Sequence, residues 1–366
     1  MDVPSPEFVG LLLFFLAGVA LVIWCVELFI EAITQSAVSL GVSGFFLAVV
    51  LAGVDLENAI LGVTAAFVDL PDLALGTVFG ESLFVLAVAV GVAGLFVPFR
   101  MDVPSIYLLL LALVPLPAFA LSLDGSLEWA DGAILTALFV PVLAGIYWRE
   151  RRSETTYLLA GEVEEVVDLE SGGATPTDAG GRPEANGGAY AGDRRGGLDD
   201  GVDFDLDLDL DEFVPSLEGR SGRFCLGVAV LATVGMTVGS GMTVVSAEGI
   251  FRTLGITGLA FGATVLSFIA SIEELALTVE PVRRGRPHLA VGNVVGSTAF
   301  YVTANVGIVA LLRPVDTTGA VMTVHWPFFA ASLLVVGAML ARGRVTRLGG
   351  ATLLAMYVAY WIVNYA

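Results

Sequence analysis

The chain has 366 residues, 56% of them hydrophobic and only 15% charged, with a mean hydropathy of +0.86. Its 37 acidic and 17 basic residues leave a net charge of −20, every basic residue is Arg, and 19 of the acids lie between Arg149 and Gly222. This pattern excludes an ordinary cytosolic enzyme and, lacking a basic face, a nucleic-acid-binding protein; the main solvent of such a chain is lipid.

Taken in chain order, apolar runs near the ~20 residues that a bilayer demands predict ten membrane helices, at 8–33, 41–67, 72–96, 105–123, 130–148, 224–246, 255–280, 287–312, 324–341 and 347–365. The first run carries Glu27 and Glu31 and has no basic n-region, so it reads as a helix and not as a leader. Residues 149–222 form an acidic segment expected to be a mostly disordered loop, since high charge with few large apolar residues does not offset ordering entropy. Its tract Asp203–Asp211 alternates Asp with apolar residues but lacks the central Gly and ligand spacing of an EF-hand. The loop separates two membrane halves, 1–148 and 223–366. Cys25 and Cys225 sit in apolar runs and read as small hydrophobes; without a CxxC or Cys/His cluster no structural zinc is expected.

Arginine sets the expected orientation. Arg100, the Arg149–Arg152 group, Arg220 and Arg223, the Arg283–Arg286 group and the Arg342–Arg347 group all fall in alternate breaks, while Asp69, Asp72, Asp124, Glu128 and Asp131 fall in the others. By the positive-inside rule this places the acidic loop in the cytoplasm and both termini outside, with Arg252 and Arg313 as exceptions.

The two halves repeat. Residues 57–94 match 273–310 at a constant offset of 216, through Glu57/Glu273, Pro71/Pro287, Gly76/Gly292, Gly80/Gly296, Phe84/Phe300 and Gly91/Gly307. Five helices per half is an odd number, so the second copy enters the membrane from the opposite side. Inverted copies of this kind place their substrate near the midplane.

The polar residues inside the copies are the candidate site. They are Asp55, Glu57 and Asn58 on the second helix and Glu81 on the third. The second half supplies Ser267, Ser271, Glu273 and Glu274 on the seventh helix and Asn293 and Ser297 on the eighth. A carboxylate at membrane depth costs about 2.5–3.5 kcal/mol on insertion scales. No Lys or Arg lies inside these four runs, so a bound cation or a proton is the expected compensation. Carboxylate, hydroxyl, amide and carbonyl oxygens suit hard cations such as Ca²⁺, Na⁺ or Mg²⁺. Glu27, Glu31 and Glu280 read as interfacial, and Asn305 as either a helix–helix hydrogen bond or a cavity residue.

The segments Ala270-Ser271-Ile272-Glu273-Glu274 and Gly292-Asn293-Val-Val-Gly296-Ser297-Thr298, with Gly53-Val54-Asp55-Leu56-Glu57-Asn58 and Gly76-Thr77-Val-Phe-Gly80-Glu81-Ser82, resemble the two signature repeats of the sodium/calcium exchanger family. The resemblance covers nearly all of the chain outside the acidic loop. It implies an all-α membrane protein of ten transmembrane helices in two inverted five-helix repeats, with the first and sixth helices sliding past a four-helix core. It implies Glu274 as an ion-binding glutamate, Ser271 and Ser297 as hydroxyl ligands, and Ser267 and Ala270 as carbonyl donors. The pattern departs where Asn58 takes the first repeat's glutamate position and Glu57 its proline position, where Asp55 and Glu81 take serine positions, and where Val85 and Tyr301 take Asn/Asp positions.

The expected function is therefore secondary antiport of cations across the plasma membrane, Na⁺/Ca²⁺ exchange by alternating access, with Glu57 and Glu274 the leading metal ligands. An H⁺-coupled exchanger and an uncoupled cation channel are the alternatives on the same scaffold. No enzyme chemistry and no cofactor are expected; the partners are lipid and small cations.

Overall fold

The structure, a computed structural model, describes residues 6–40, 55–150, 215–217 and 219–366, with the backbone alone at 37–40 and 150. The rest of the acidic loop, and residues 41–54 of the second expected helix, lie outside the described residues. The elements in order are α1 (Pro6–Leu40), α2 (Leu56–Phe67), α3 (Pro71–Phe96), α4 (Ser105–Asp124), α5 (Trp129–Glu150) and α6 (Gly222–Leu254). They continue as α7 (Gly258–Ala270), α8 (Ile272–Arg283), α9 (Pro287–Leu312), α10 (Val321–Ala341) and α11 (Arg347–Asn364). Among the described residues seven helices are long and apolar enough to cross a membrane, or eight when α7 and α8, bent by 48° at Ser271, count as one span.

Two helices outrun their expected bounds. α1 has 35 residues and α6 has 33. At 1.5 Å per residue each is about 50 Å long, against a hydrocarbon core of about 30 Å, so tilt or protrusion follows. Nothing in the sequence stops α6 at 246. Glu248 and Arg252 pair across its last turns at 2.6 Å, and Gly255, at φ +70°, supplies the left-handed cap that ends it. α1 and α6 lie against each other at Gly18 and Gly239, where a side chain on either would strike the other's backbone.

α3 and α9 form the centre, each with 89% of its apolar window buried inside the protein. Small residues make that possible. A Cβ on Gly76 would overlap the Leu259 carbonyl, one on Gly80 the Ser267 side chain, and one on Gly262 the Leu73 carbonyl, so α3 and α7 meet backbone to backbone. Both central helices widen into π turns, Phe84–Ala89 in α3 and Tyr301–Asn305 in α9, each just past the polar stretch. Such turns recur at functional sites.

The contacts of the two halves correspond. β1 (Phe99–Arg100), after α3, pairs antiparallel with β4 (Arg344–Val345), between α10 and α11; β3 (Val315–Asp316), after α9, pairs with β2 (Ser126–Leu127), between α4 and α5. Gly91 of α3 meets Gly350 of α11 as Gly307 of α9 meets Gly132 of α5. Residues 216 apart in sequence, Gly91 and Gly307, thus make equivalent crossings. Cys25 and Cys225 are buried free thiols.

Candidate cation site

The site grows from two helix starts. Asp55 is the N-cap of α2, and Ser271, at the offset of 216, is the N-cap of α8. The Asp55 carboxylate accepts from Asn58 N at 3.0 Å and from Asn58 Nδ2 at 2.5 Å. In α8 the same frame reads Ser271-Ile-Glu-Glu274, the spacing of a capping box. The box does not close: Ser271 Oγ is buried without a hydrogen-bond partner among the described residues. Glu274 turns instead to α9, where Asn293 Nδ2 donates to its Oε2 at 2.5 Å and Ser297 Oγ to its Oε1 at 2.8 Å. Asn293 also reaches Thr278 Oγ1 at 3.4 Å.

Tyr301 joins the halves. Its hydroxyl lies 2.7 Å from Asp55 Oδ2 and 3.1 Å from Glu274 Oε1. The ring is fully buried beside Phe300. Glu81 of α3 has both carboxylate oxygens buried with no hydrogen-bond partner among the described residues, and the charges of Asp55, Glu57 and Glu274 act on it. Glu57 is 7% exposed and faces the charges of Asp55 and of Glu27 on α1.

The structure therefore brings Asp55, Asn58, Glu274, Asn293 and Ser297 into one hydrogen-bonded group, with Glu81 and Glu57 in electrostatic reach. Ser271 is buried at the break beside it. Ser267 is buried one turn back on α7, donates to the Thr264 carbonyl at 3.3 Å and packs on Gly80. Glu273 is exposed, because one step along a helix turns a side chain by about 100°, and Glu274 holds the inward face. Glu31 accepts from Leu217 N at 2.9 Å, and Glu280 pairs with Arg283 and Arg284 at a helix end. Among the described residues no three Asp, Glu, His or Cys groups gather closely enough to hold a metal by themselves. Any cation held here takes hydroxyl and amide oxygens alongside carboxylates. Sequence reasoning left out Tyr301; its signal was the fourth residue after Ser297, where the related motif carries Asn or Asp.

Buried acids joined across two halves, with no Arg paired to Asp55 or Glu274 among the described residues, fit a membrane cation binder. Residues 10–148 and 224–366 match the family described as sodium/calcium exchanger protein. The chain belongs to that family. It is thus a multi-pass membrane protein of a cation/Ca²⁺ antiporter family, a transporter and not an enzyme. The inner membrane protein YrbG of Escherichia coli K12 is 24% identical over 82% of this chain and 79% of its own length. The putative antiporter CaxA of Alkalimonas amylolytica is 24% identical over 95% of this chain and 96% of its own length. A crystal structure of the H⁺/Ca²⁺ exchanger CAX superposes with a TM-score of 0.63 at 14% identity, covering 99% of this exchanger and 87% of that chain, a likeness of fold.

Proposed function

We propose that this exchanger is a plasma-membrane antiporter that trades Ca²⁺ for Na⁺ at the group around Asp55 and Glu274, by alternating access of two inverted five-helix repeats. The observation that carries the reading is the Tyr301 bridge, which ties a carboxylate of the first half to one of the second. Equivalent crossings at Gly91 and Gly307, and the N-cap positions of Asp55 and Ser271, support ten helices in two copies. In this reading the termini lie outside and the acidic loop inside, which the distribution of arginines among the breaks supports.

In the proposed cycle an entering cation neutralises the carboxylates and takes the place of their hydrogen bonds to Asn293, Ser297 and Tyr301. A site left charged and empty resists occlusion, because several buried carboxylates repel one another in low dielectric. That resistance couples the two fluxes.

A second reading, H⁺ in place of Na⁺, has one specific observation in its favour. The Tyr301 hydroxyl owns one proton and faces two carboxylate oxygens, so both contacts are filled only when one carboxyl is itself protonated. Radiolabelled Ca²⁺ uptake into proteoliposomes separates the readings. Uptake driven by an outward Na⁺ gradient at equal pH, with voltage clamped, supports Na⁺/Ca²⁺ exchange; uptake driven only by a pH gradient replaces Na⁺ with H⁺. Downhill Ca²⁺ flux indifferent to both gradients would mean a channel.

A further inference from the structure

Asn305 stands one helical turn past Tyr301 in the wide segment of α9 and is 1% exposed. Neither its amide oxygen nor its amide nitrogen has a hydrogen-bond partner among the described residues. Burying an amide dry is expensive, and a buried polar group without a protein partner is satisfied by a water or an ion. The side chain faces α2 at Gly62, where an added Cβ would stand 2.9 Å from Asn305 Oδ1. One turn back on the same face of α2 is Asn58, 1% exposed, whose Oδ1 is also without a partner.

These residues lie on one seam. α2 and α9 run side by side, meeting at Asp55 and Tyr301, then at Gly62 and Asn305, then at Ala66, whose carbonyl accepts from Arg313 Nε at 3.3 Å. The seam ends at the Asp69–Arg313 ion pair, 2.9 Å long, whose side chains are 75% and 46% exposed. The seam thus runs from the buried acids, past Asn58 and Asn305, to an open surface. In the other half the position equivalent to Asn305 is Ala89, so the two seams differ.

We propose that the Asn58 and Asn305 amide oxygens form a relay position for a small, partly dehydrated cation on the route between the Glu274 group and the surface carrying Asp69 and Arg313. Amide oxygens suit hard cations, and neutral ligands hold them weakly enough to release them, which a conducting step needs. Gly62, without a side chain, lets the Asn305 amide lie directly against α2 on the face that carries Asn58. The proposal rests on the cation-transport reading.

The test uses substituted cysteine in the full chain with Cys25 and Cys225 changed to Ala. Asn305→Cys in reconstituted protein should react with a small cationic methanethiosulfonate, as should Asp69→Cys at the mouth, while Ala89→Cys should not. Ca²⁺ or Na⁺ should slow the reaction at Asn305→Cys but not at Asp69→Cys. No reaction at Asn305→Cys in folded protein that labels at Asp69→Cys overturns the relay, and so does a reaction indifferent to both cations. Should Asn305→Cys not fold, Asn305→Ser and Asn305→Leu decide by flux. The Leu variant should lose about tenfold in maximal rate, the lower end of what losing a supporting ligand costs a metal site, while keeping the Ca²⁺-induced thermal shift, and the Ser variant should retain flux. Equal flux in both overturns the relay. A parent protein that moves no cation under any gradient would sink the exchange reading, whereas cation-protected labelling would still report the relay.

Discussion

At the scale of single residues the protein is organised by unequal treatment of its acids. Glu274 accepts from Asn293 and Ser297 and lies 3.1 Å from the Tyr301 hydroxyl, whereas its neighbour Glu273 is exposed. Glu274→Gln keeps the shape and removes the charge. It should abolish coupled flux while leaving expression and melting behaviour near the parent; robust coupled flux in a reconstituted Gln variant would remove Glu274 from the site. Tyr301→Phe deletes a hydroxyl shared by the two halves. A buried hydrogen bond to a charged group is worth about 1.5–3 kcal/mol. The ion-free variant should therefore lose stability of that order, and saturating Ca²⁺ should restore most of it, since the cation takes over the bridging. Thermal unfolding with and without Ca²⁺ reads both quantities, and an equal loss in the two conditions would contradict a bridge that the cation replaces.

Helices here meet by subtraction of side chains. In lipid, close packing and polar contacts hold helices together, because lipid tails are as apolar as the helix surfaces. α3 accordingly presents Gly76 and Gly80 to α7, and α7 returns Gly262. Gly80→Val would drive its side chain into Ser267 and the Ala263 carbonyl, which are backbone-anchored and have little room to give. Overpacking of this kind costs about 1–3 kcal/mol. The expected result is a lowered melting temperature and a loss of flux together. Gly10→Ala on α1, where nothing lies within 4 Å, should be neutral, and a Gly80→Val protein as stable as the Gly10→Ala protein would refute the close contact. The break at Ser271 belongs to this scale as well. α7 and α8 diverge by 48° there, which sets the start of α8 and Glu274 against α9.

For the whole molecule the arginine breaks make a topological claim that labelling can check. In a cysteine-free background, single cysteines at Gly285 and Gly343 should react from one side of the membrane, and cysteines at Gly125 and Gly319 from the other. All four glycines sit in turns at positive φ. Cysteine at such positions carries some strain, so the comparison is made in protein of verified fold. Reaction of the Gly125 and Gly343 positions from the same side would break the inverted arrangement, because they stand at equivalent places in the two halves, beside β2 and β4, and an odd number of crossings per half puts equivalent places on opposite sides.

The lipid environment and the exchanger family were legible in the sequence. Apolar runs, the 216-residue offset and acids without Arg neighbours are local or pairwise patterns, and each reports a cost that must be met whatever the packing. The same patterns gave Asp55, Asn58, Glu274, Asn293 and Ser297, which do converge. They favoured Glu274 as the ligand but kept Glu273 among the site residues, since excluding one of two adjacent residues needs the helix phase, and the break at Ser271 resets that phase. The lengths of α1 and α6 were also beyond reach, because their extra turns contain no breaker and rest on packing of one helix along the other. The motif marked the position of Tyr301, four residues after Ser297, but the role of the residue that stands there came from tertiary structure. A tyrosine in an apolar run reads as core, and its hydroxyl acquires meaning only where α2 and α8 bring two carboxylates from chain positions more than 200 residues apart to the same oxygen.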